Sequence, residues 1–286
     1  MVTAACGGLD SRHERIAGRV TSIRNGRVPQ RRIAETVAAE LRDLILDVED
    51  YRLPTQEQLV KDFGVSYPSI REALRILETE GLVTVRRGNV GGADVHRPDE
   101  TSAAYHLGLS LQAGKVTLHD LADGLRMLEP LCAAECAKRD DRAEVVVPAL
   151  TAAIDASIGL VTDGVEFTHT ARDFHDLVVS FAPNATIRYA VGSYVALWSA
   201  QEEAWAEART RHGEYPSQLE AEEAVRAHRR LVEEIAAGNA DEAERLARAH
   251  LAATQSLVLE KYGDRIVNAS AAMSRQAIHP GRRSRI

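Results

Sequence analysis

The sequence predicts a mostly α-helical chain in two parts, and three observations lead to that prediction. Its 286 residues, 45% of them hydrophobic, are enough for two globular domains. Apolar residues recur at three- and four-residue steps through most of the chain, which is the period of amphipathic helices. Around Gly88 they alternate instead, as they do in a strand hairpin. We therefore expect a winged helix-turn-helix followed by an all-helical antiparallel bundle of six or seven helices.

The N-terminal part opens with a segment that has no sustained period. Residues 1–30 hold several arginines and a glycine pair, and we interpret them as a mobile arm. Helical spacing starts at Arg32 and continues to about Val48, which predicts the first helix of a domain at residues 31–97. A turn that ends at Pro54 then leads into a second, short helix.

The next helix has clear start and stop signals. It is predicted from about Tyr67 to Thr79, because the Ser66 hydroxyl can cap its first turn and Gly81 can end it. Ile70 begins an apolar stripe that faces inward. The opposite face carries hydroxyls and arginines, the groups that contact bases and phosphates when a helix lies in a DNA major groove. These candidate DNA-binding residues are Ser66, Tyr67, Ser69, Arg71 and Arg75.

A predicted hairpin, or wing, follows this helix. Two apolar segments, residues 82–85 and 93–96, flank a basic and glycine-rich tip that can approach a phosphate backbone or minor groove closely. Its candidate DNA-binding residues are Arg86, Arg87 and Gly88. A short amphipathic helix with two arginines is by itself commonly just a solvated surface helix. The full order of helix, turn, capped basic helix and basic wing favours DNA binding.

A resemblance to a known family covers this whole motif. The winged helix-turn-helix of the GntR family of bacterial transcriptional regulators is similar to the segment LPTQEQLVKDFGVSYPSIREALRILETEGLVTVRRGNVGG. Arg71, Arg87 and Gly88 match positions at which the family contacts DNA. Glu57 and Tyr67 depart from the pattern, because each stands where the family usually has arginine. The resemblance therefore implies DNA binding, at an operator that differs from the family's common one.

After Pro98 the sequence predicts helices only, separated by Gly, Pro, Asn and Asp breaks. We expect one all-helical domain at residues 98–265, which binds an effector and a second subunit, and then a disordered basic tail at residues 266–286. The predicted helices span residues 101–112, 117–139, 142–161, 165–182, 185–210, 217–237 and 240–262.

Three histidines lie on three of these predicted helices, beside apolar positions. They are His175, His228 and His250. Imidazoles that converge in a bundle core can bind a divalent metal such as zinc and leave a position open for water or a ligand. Spacing alone favours three ordinary hydrogen-bonded histidines.

A second resemblance favours the metal. The segments LADGLRMLEP, FHDLVVSFAPN and AHRRLVEEIAAGNADEAERLARAH are similar to the FCD effector domain of the FadR-type branch of GntR regulators. That domain's metal-binding histidines map onto His175, His228 and His250. The acidic ligand usual four residues before the first of them is Ala171 here, and Asp173 lies on another face of the helix. Two alternatives stay open. In the one that we favour, the three histidines bind a metal whose ligand shell is completed by water or by an effector carboxylate. In the other, the pocket holds an organic effector without a metal.

Arg126 lies on the helix that in this family faces the effector cavity. We expect its guanidinium to bind an effector carboxylate, since the two groups form bidentate hydrogen bonds. The alternative is a salt bridge to Glu129, three residues along the same helix.

These expectations describe a ligand-responsive transcriptional regulator and not an enzyme. We expect a repressor that binds an inverted-repeat operator as a homodimer, because one short recognition helix reads too few bases for specificity. The expected effector is a small carboxylate or acyl metabolite. Two rivals are a metal-dependent helical-bundle enzyme fused to a DNA-binding segment and a metal-free, acyl-responsive regulator. The sequence offers the enzyme neither a nucleophile in a recognisable setting nor a second carboxylate cluster.

Charge and composition indicate where the chain works. The net charge is −7, but residues 1–98 hold 15 Lys/Arg and 14 Asp/Glu, so the acidity lies in the C-terminal part. No stretch approaches the roughly 18 consecutive apolar residues of a membrane helix, and no signal peptide is recognisable, which predicts a cytoplasmic protein without membrane contact. Three cysteines do not make a disulfide framework, and Cys132 and Cys136 are expected to be small buried residues.

Overall fold

The structure, a computed structural model, describes residues 30–48, 51–85, 93–211 and 218–271. The chain divides into two compact units, residues 1–98 and 99–286, and each unit has its own hydrophobic core. Within the described ranges no helix is long and apolar enough to cross a membrane. The tip of the predicted wing and nearly all of the predicted N-terminal arm lie outside the described residues.

In its described part, the N-terminal unit contains three helices and a two-stranded antiparallel sheet in the order that the sequence predicts. Val83 pairs with Val95 across the sheet. Helices α1 and α2 both pack against α3, around a core that includes Leu41, Leu59 and Ile70. The elements are α1 Gln30–Asp47, α2 Gln56–Phe63, α3 Tyr67–Thr79, β1 Val83–Val85 and β2 Ala93–Val95.

Helix α3 begins and ends at the predicted residues, but its first turn is built differently. Gly81 follows the helix with a φ of 74°, as expected of a glycine that ends a helix. Ser66 is the N-cap residue, yet the predicted hydroxyl cap is wrong. The Ser66 Oγ lies 3.0 Å from the Ser69 Oγ, so the two hydroxyls bond to each other and neither caps a backbone N–H.

The C-terminal unit is all-helical in its described part. Helix α10 packs along α5, and α8 packs against α4 and α7. A π-helical turn, Arg142–Val146, divides the helix that was predicted at residues 142–161. The α-helices are α4 Glu100–Ala113, α5 Leu118–Lys138, α6 Val147–Ile158, α7 Gly164–Ser180, α8 Ala185–Arg211, α9 Gln218–Ala237 and α10 Ala240–Tyr262.

The bundle extends beyond the predicted boundary at residue 265. Val267 is fully buried, and its N–H donates to the Val116 carbonyl at 3.0 Å. Ala269 is also buried, and its N–H donates to the Gln112 Oε1 at 3.0 Å. The prediction that the disordered tail starts at residue 266 is therefore wrong for residues 266–271, because Val267 and Ala269 are buried in the bundle.

Candidate functional site

One face of α3 presents polar side chains to solvent. Tyr67 is 44% exposed, and Arg71, Arg75 and Ser66 are exposed as well. The Arg75 Nη1 lies 3.5 Å from the Glu72 Oε2, an exposed ion pair that a phosphate can displace at little cost. The opposite face is buried against α1 and α2, so Arg71 and Arg75 are held outward on a packed support.

The structure adds detail at two positions that the sequence singles out. Ser69 does not belong to the exposed surface, because its side chain is 2% exposed and bonds to Ser66. Glu57 lies on α2, where its carboxylate accepts from the Lys61 ammonium at 2.9 Å. That bond keeps the pKa of Glu57 below its usual range. Arg86, Arg87 and Gly88 lie outside the described residues.

In the C-terminal unit the structure brings the three candidate metal ligands together. His175 comes from α7, His228 from α9 and His250 from α10, and each is less than a tenth exposed. Their Nε2 atoms face one another, with 2.9 Å between His228 and His250, 3.3 Å between His175 and His250, and 3.4 Å between His175 and His228. These are the three residues that the sequence predicts, and helix packing makes them one cluster, the histidine triad.

Two neighbours hold the triad in this orientation. The Glu129 Oε1 of α5 lies 2.5 Å from the His175 Nδ1, which directs the His175 Nε2 at the other two rings. Phe174 stacks on His228 with a centroid separation of 4.0 Å and an interplanar angle of 12°. A carboxylate on the far nitrogen is the usual support of a metal-binding histidine.

Burial keeps the triad neutral. It lowers the pKa of His175 and His228 well below the ordinary value, and that of His250 to about 3. Burial likewise raises the pKa of Glu129 to about 7. Neutral imidazole is the form that binds metals, because a protonated ring has no free lone pair.

The triad fits a tetrahedral metal. Zinc lies about 2.0–2.1 Å from imidazole nitrogens, so two tetrahedral ligand nitrogens are about 3.3–3.4 Å apart. Two of the separations, 3.3 and 3.4 Å, match that value, and the third, 2.9 Å, is somewhat shorter. A three-histidine site keeps its fourth position open.

A cavity of about 520 Å³, including its opening to solvent, lies beside the triad. Phe167, Trp205 and Leu257 give it an apolar wall, whereas Arg172 and Glu202 bring charge to it. Ala171, at the position of the missing acidic ligand, also lines it. Asp173 does not line it and does not replace that ligand.

Arg172 is a residue that sequence reasoning missed. Its side chain is buried; its Nε donates to the Ser199 Oγ at 3.1 Å, and its Nη1 lies 3.2 Å from the Glu202 Oε2. A signal existed in the sequence, since residues three apart lie on one face of a helix and Arg172 precedes His175 by three.

Arg126 is not where the sequence interpretation placed it. Its guanidinium pairs with Asp123 one turn earlier on α5, and its carbonyl accepts from Arg248. It does not line the cavity beside the triad. The alternative salt bridge to Glu129 does not form either, because Glu129 turns inward to His175.

Comparisons with known proteins agree with this architecture. The family model described as bacterial regulatory proteins, gntR family, matches residues 32–90, and the FCD domain model matches residues 120–253. The chain is 36% identical over 80 residues to the HTH-type transcriptional repressor NanR of Citrobacter rodentium. That match spans 27% of this chain and 30% of NanR.

The fold also resembles a solved structure. The chain is similar to the structure described as Streptococcus agalactiae GntR, with a TM-score of 0.58 and 21% identity, over 77% of this chain and 98% of that one. At that identity the likeness shows the fold alone. The two matched families are families of transcriptional regulators and not of enzymes. The chain therefore carries a DNA-binding domain of the gntR family of bacterial regulatory proteins, followed by an FCD domain.

Proposed function

We propose that the chain is a cytoplasmic repressor that binds an inverted-repeat operator as a homodimer and responds to a small carboxylate. The exposed basic face of α3 carries this proposal, because helix α3 holds Arg71 and Tyr67 outward on a buried support. NanR, which matches over 80 residues, is described as a transcriptional repressor, and this supports repression over activation for the present chain. Two copies are needed because one helix of this length reads few base pairs.

The residues of the DNA-binding surface have different roles in this proposal. Arg71 and Tyr67 reach base edges, since both are exposed near the start of α3, the end that enters the groove. Arg75 contacts phosphate further along the helix. Arg86 and Arg87, with Gly88 allowing close approach, contact phosphate or the minor groove from the wing. Ser66 adds a hydroxyl contact at the helix start.

The histidine triad is the proposed regulatory site. His175, His228 and His250 would hold a divalent metal such as zinc, and the bound ion would supply positive charge and an open position for an effector oxygen. Glu129 orients His175, and Phe174 orients His228. Because these side chains are already positioned, little ordering is needed when the effector enters the cavity.

Effector and operator must influence each other's binding by the same factor. The effector site lies in the helical domain and the operator site on α3, so the control is a coupling between two separate sites. An effector that weakens operator binding tenfold is itself bound about tenfold more weakly by the operator complex.

Replacement of Arg71 by alanine tests the reading role of α3. We expect Arg71→Ala to weaken binding to the operator by about 1–3 kcal/mol and to reduce discrimination against altered bases at one position of each half-site. Arg226→Ala removes another exposed arginine, from α9, and is the matched control. Equal loss in both variants, measured by fluorescence anisotropy, would show that only overall charge matters.

A further inference from the structure

We propose that Arg172 is the anion-recognising residue of the effector cavity and that it makes metal binding and carboxylate binding depend on each other. This inference rests on the function proposed above and deepens it. It assigns to Arg172 the role that the sequence had suggested for Arg126.

The first support is position. Arg172 and His175 are three residues apart on α7, both are buried, and both line the same cavity. Side chains with this spacing have Cβ atoms about 5–6 Å apart. The fixed charge of the guanidinium therefore lies close to the triad.

The second support is an unsatisfied donor. Ser199 and Glu202 of α8 bind the Nε and Nη1 of Arg172, but among the described residues its buried Nη2 has no hydrogen-bond partner. A buried N–H of a charged group is costly to leave without an acceptor. A carboxylate supplies that acceptor, and guanidinium-carboxylate bonds are among the strong ones.

The third support is the identity of residue 171. An acidic side chain at this position would give the triad an anionic fourth ligand, and Ala171 gives it a methyl group. The three protein ligands are then all neutral, while Arg172 adds a positive charge that repels a cation. The carboxylate of Glu129 offsets part of this positive charge. It lies on the far side of the His175 ring, however, where its Oε1 is bonded to the Nδ1, on the side away from the three Nε2 atoms. Glu202 is paired with Arg172, and Glu220 also lines the cavity.

An anionic ligand can satisfy both the Nη2 of Arg172, which lacks an acceptor, and the metal site, which lacks an anionic ligand. One carboxylate placed between the triad and Arg172 supplies the missing negative ligand and the missing acceptor together. Metal alone is then bound weakly and carboxylate alone weakly, and each increases the affinity of the other by the same factor. The domain consequently responds to the two together.

The experiment measures the zinc affinity of the protein with a competing chelating indicator. The buffer contains no other carboxylate, and the ionic strength is held equal. The affinity is compared without additive, with acetate and with acetamide, the neutral analogue of acetate. We expect acetate to raise the zinc affinity of the full-length protein by about tenfold or more, and acetamide to leave it unchanged. In Arg172→Gln, zinc alone should bind as tightly as in the unchanged protein or more tightly, and the acetate effect should be lost. Arg172→Lys, which keeps the charge, should retain part of the effect.

Ala171→Asp is the complementary variant. It restores an acidic ligand, so zinc should bind at least about tenfold more tightly without acetate, and acetate should add little. A purely structural role for Arg172 would instead weaken zinc binding in Arg172→Gln. Circular dichroism of each variant separates that outcome from loss of the fold.

The result that overturns this inference is zinc binding by the unchanged protein that acetate does not alter. A different result would overturn the regulatory site itself. If zinc binds equally to the unchanged protein and to His175→Ala, the triad does not hold the metal, whatever Arg172 does.

Discussion

His250 combines deep burial with a ring that titrates near neutral pH in water. Its pKa falls from 6.5 to about 3 in the fold, first because of desolvation and then because His175 and Arg172 are nearby. Above pH 6.5 the ring is neutral in both the folded and the unfolded chain. Below that pH the unfolded chain binds a proton that the folded chain does not, so folding stability is lost as the pH falls from 6.5 towards 3.

Replacement of His250 isolates this effect. In protein treated with a chelator, we expect His250→Gln to gain stability relative to the unchanged protein as the pH falls below 6.5. The slope should be about 1.4 kcal/mol per pH unit, the value for one proton. Urea unfolding at several pH values measures it. A difference between the two proteins that is independent of pH would mean that His250 is not held neutral.

His228 gives the matching prediction for metal binding. Zinc in hundredfold excess over its dissociation constant should raise the free energy of unfolding of the unchanged protein by about 2.7 kcal/mol. In His228→Ala this gain should largely disappear, because one of three ligands is lost. His106→Ala removes an exposed histidine of α4 and should keep the gain. Thermal unfolding with and without zinc decides between these outcomes.

At the residue scale, the sequence predicted the site in part. His175, His228 and His250 were identified because imidazoles on apolar helix faces are unusual and because the family resemblance mapped onto them. Arg126 was named from the family resemblance and Arg172 was missed, because residue spacing does not show which way a long side chain turns. Asp123 at the previous turn draws Arg126 outward, whereas Ser199 and Glu202, far along the chain, hold Arg172 inside.

Gly81 shows what the end of α3 requires. Its φ of 74° is strained for a residue with a Cβ, yet an added Cβ would meet no atom within 4 Å. Gly81→Ala should therefore destabilise the N-terminal unit by about 1 kcal/mol through backbone strain alone. Gly81→Asn should cost less, because asparagine tolerates this conformation.

A glycine inside a helix provides the control for that prediction. Gly124 lies in α5, and an added Cβ there also meets no atom within 4 Å. Gly124→Ala should stabilise the C-terminal unit by about 0.5–1 kcal/mol, since helical alanine loses less backbone entropy than glycine. Urea unfolding tests both substitutions, and equal effects of the same sign would contradict the argument.

At the element scale, most helices were predictable because amphipathic periodicity is a local property. Helix α3 at residues 67–79 and α10 at residues 240–262 have their predicted bounds. The two wrong predictions, the Ser66 cap and the start of the C-terminal tail, depend on contacts that a local pattern does not show. Ser66 has a hydroxyl partner in Ser69 that competes with capping, and Val267 is ordered by the core that it completes.

At the scale of the whole molecule, the proposed function joins a DNA-reading unit to a unit that senses a ligand. Both units have their own cores, so either can fold around its own site. The acidic balance of residues 99–286 restricts favourable phosphate contact to the N-terminal unit. The coupling between the two units is the central claim.

One measurement tests that claim most directly. It is the affinity of the full-length protein for the DNA upstream of its own gene, over a range of salt concentrations, before and after removal of metal with a chelator. We expect tight, sequence-selective binding with a steep salt dependence, and a change in affinity on chelation that is absent in His175→Ala. Selective binding that chelation leaves unchanged would contradict the coupling, and binding with no preference over random DNA would contradict the proposed reading of DNA by α3.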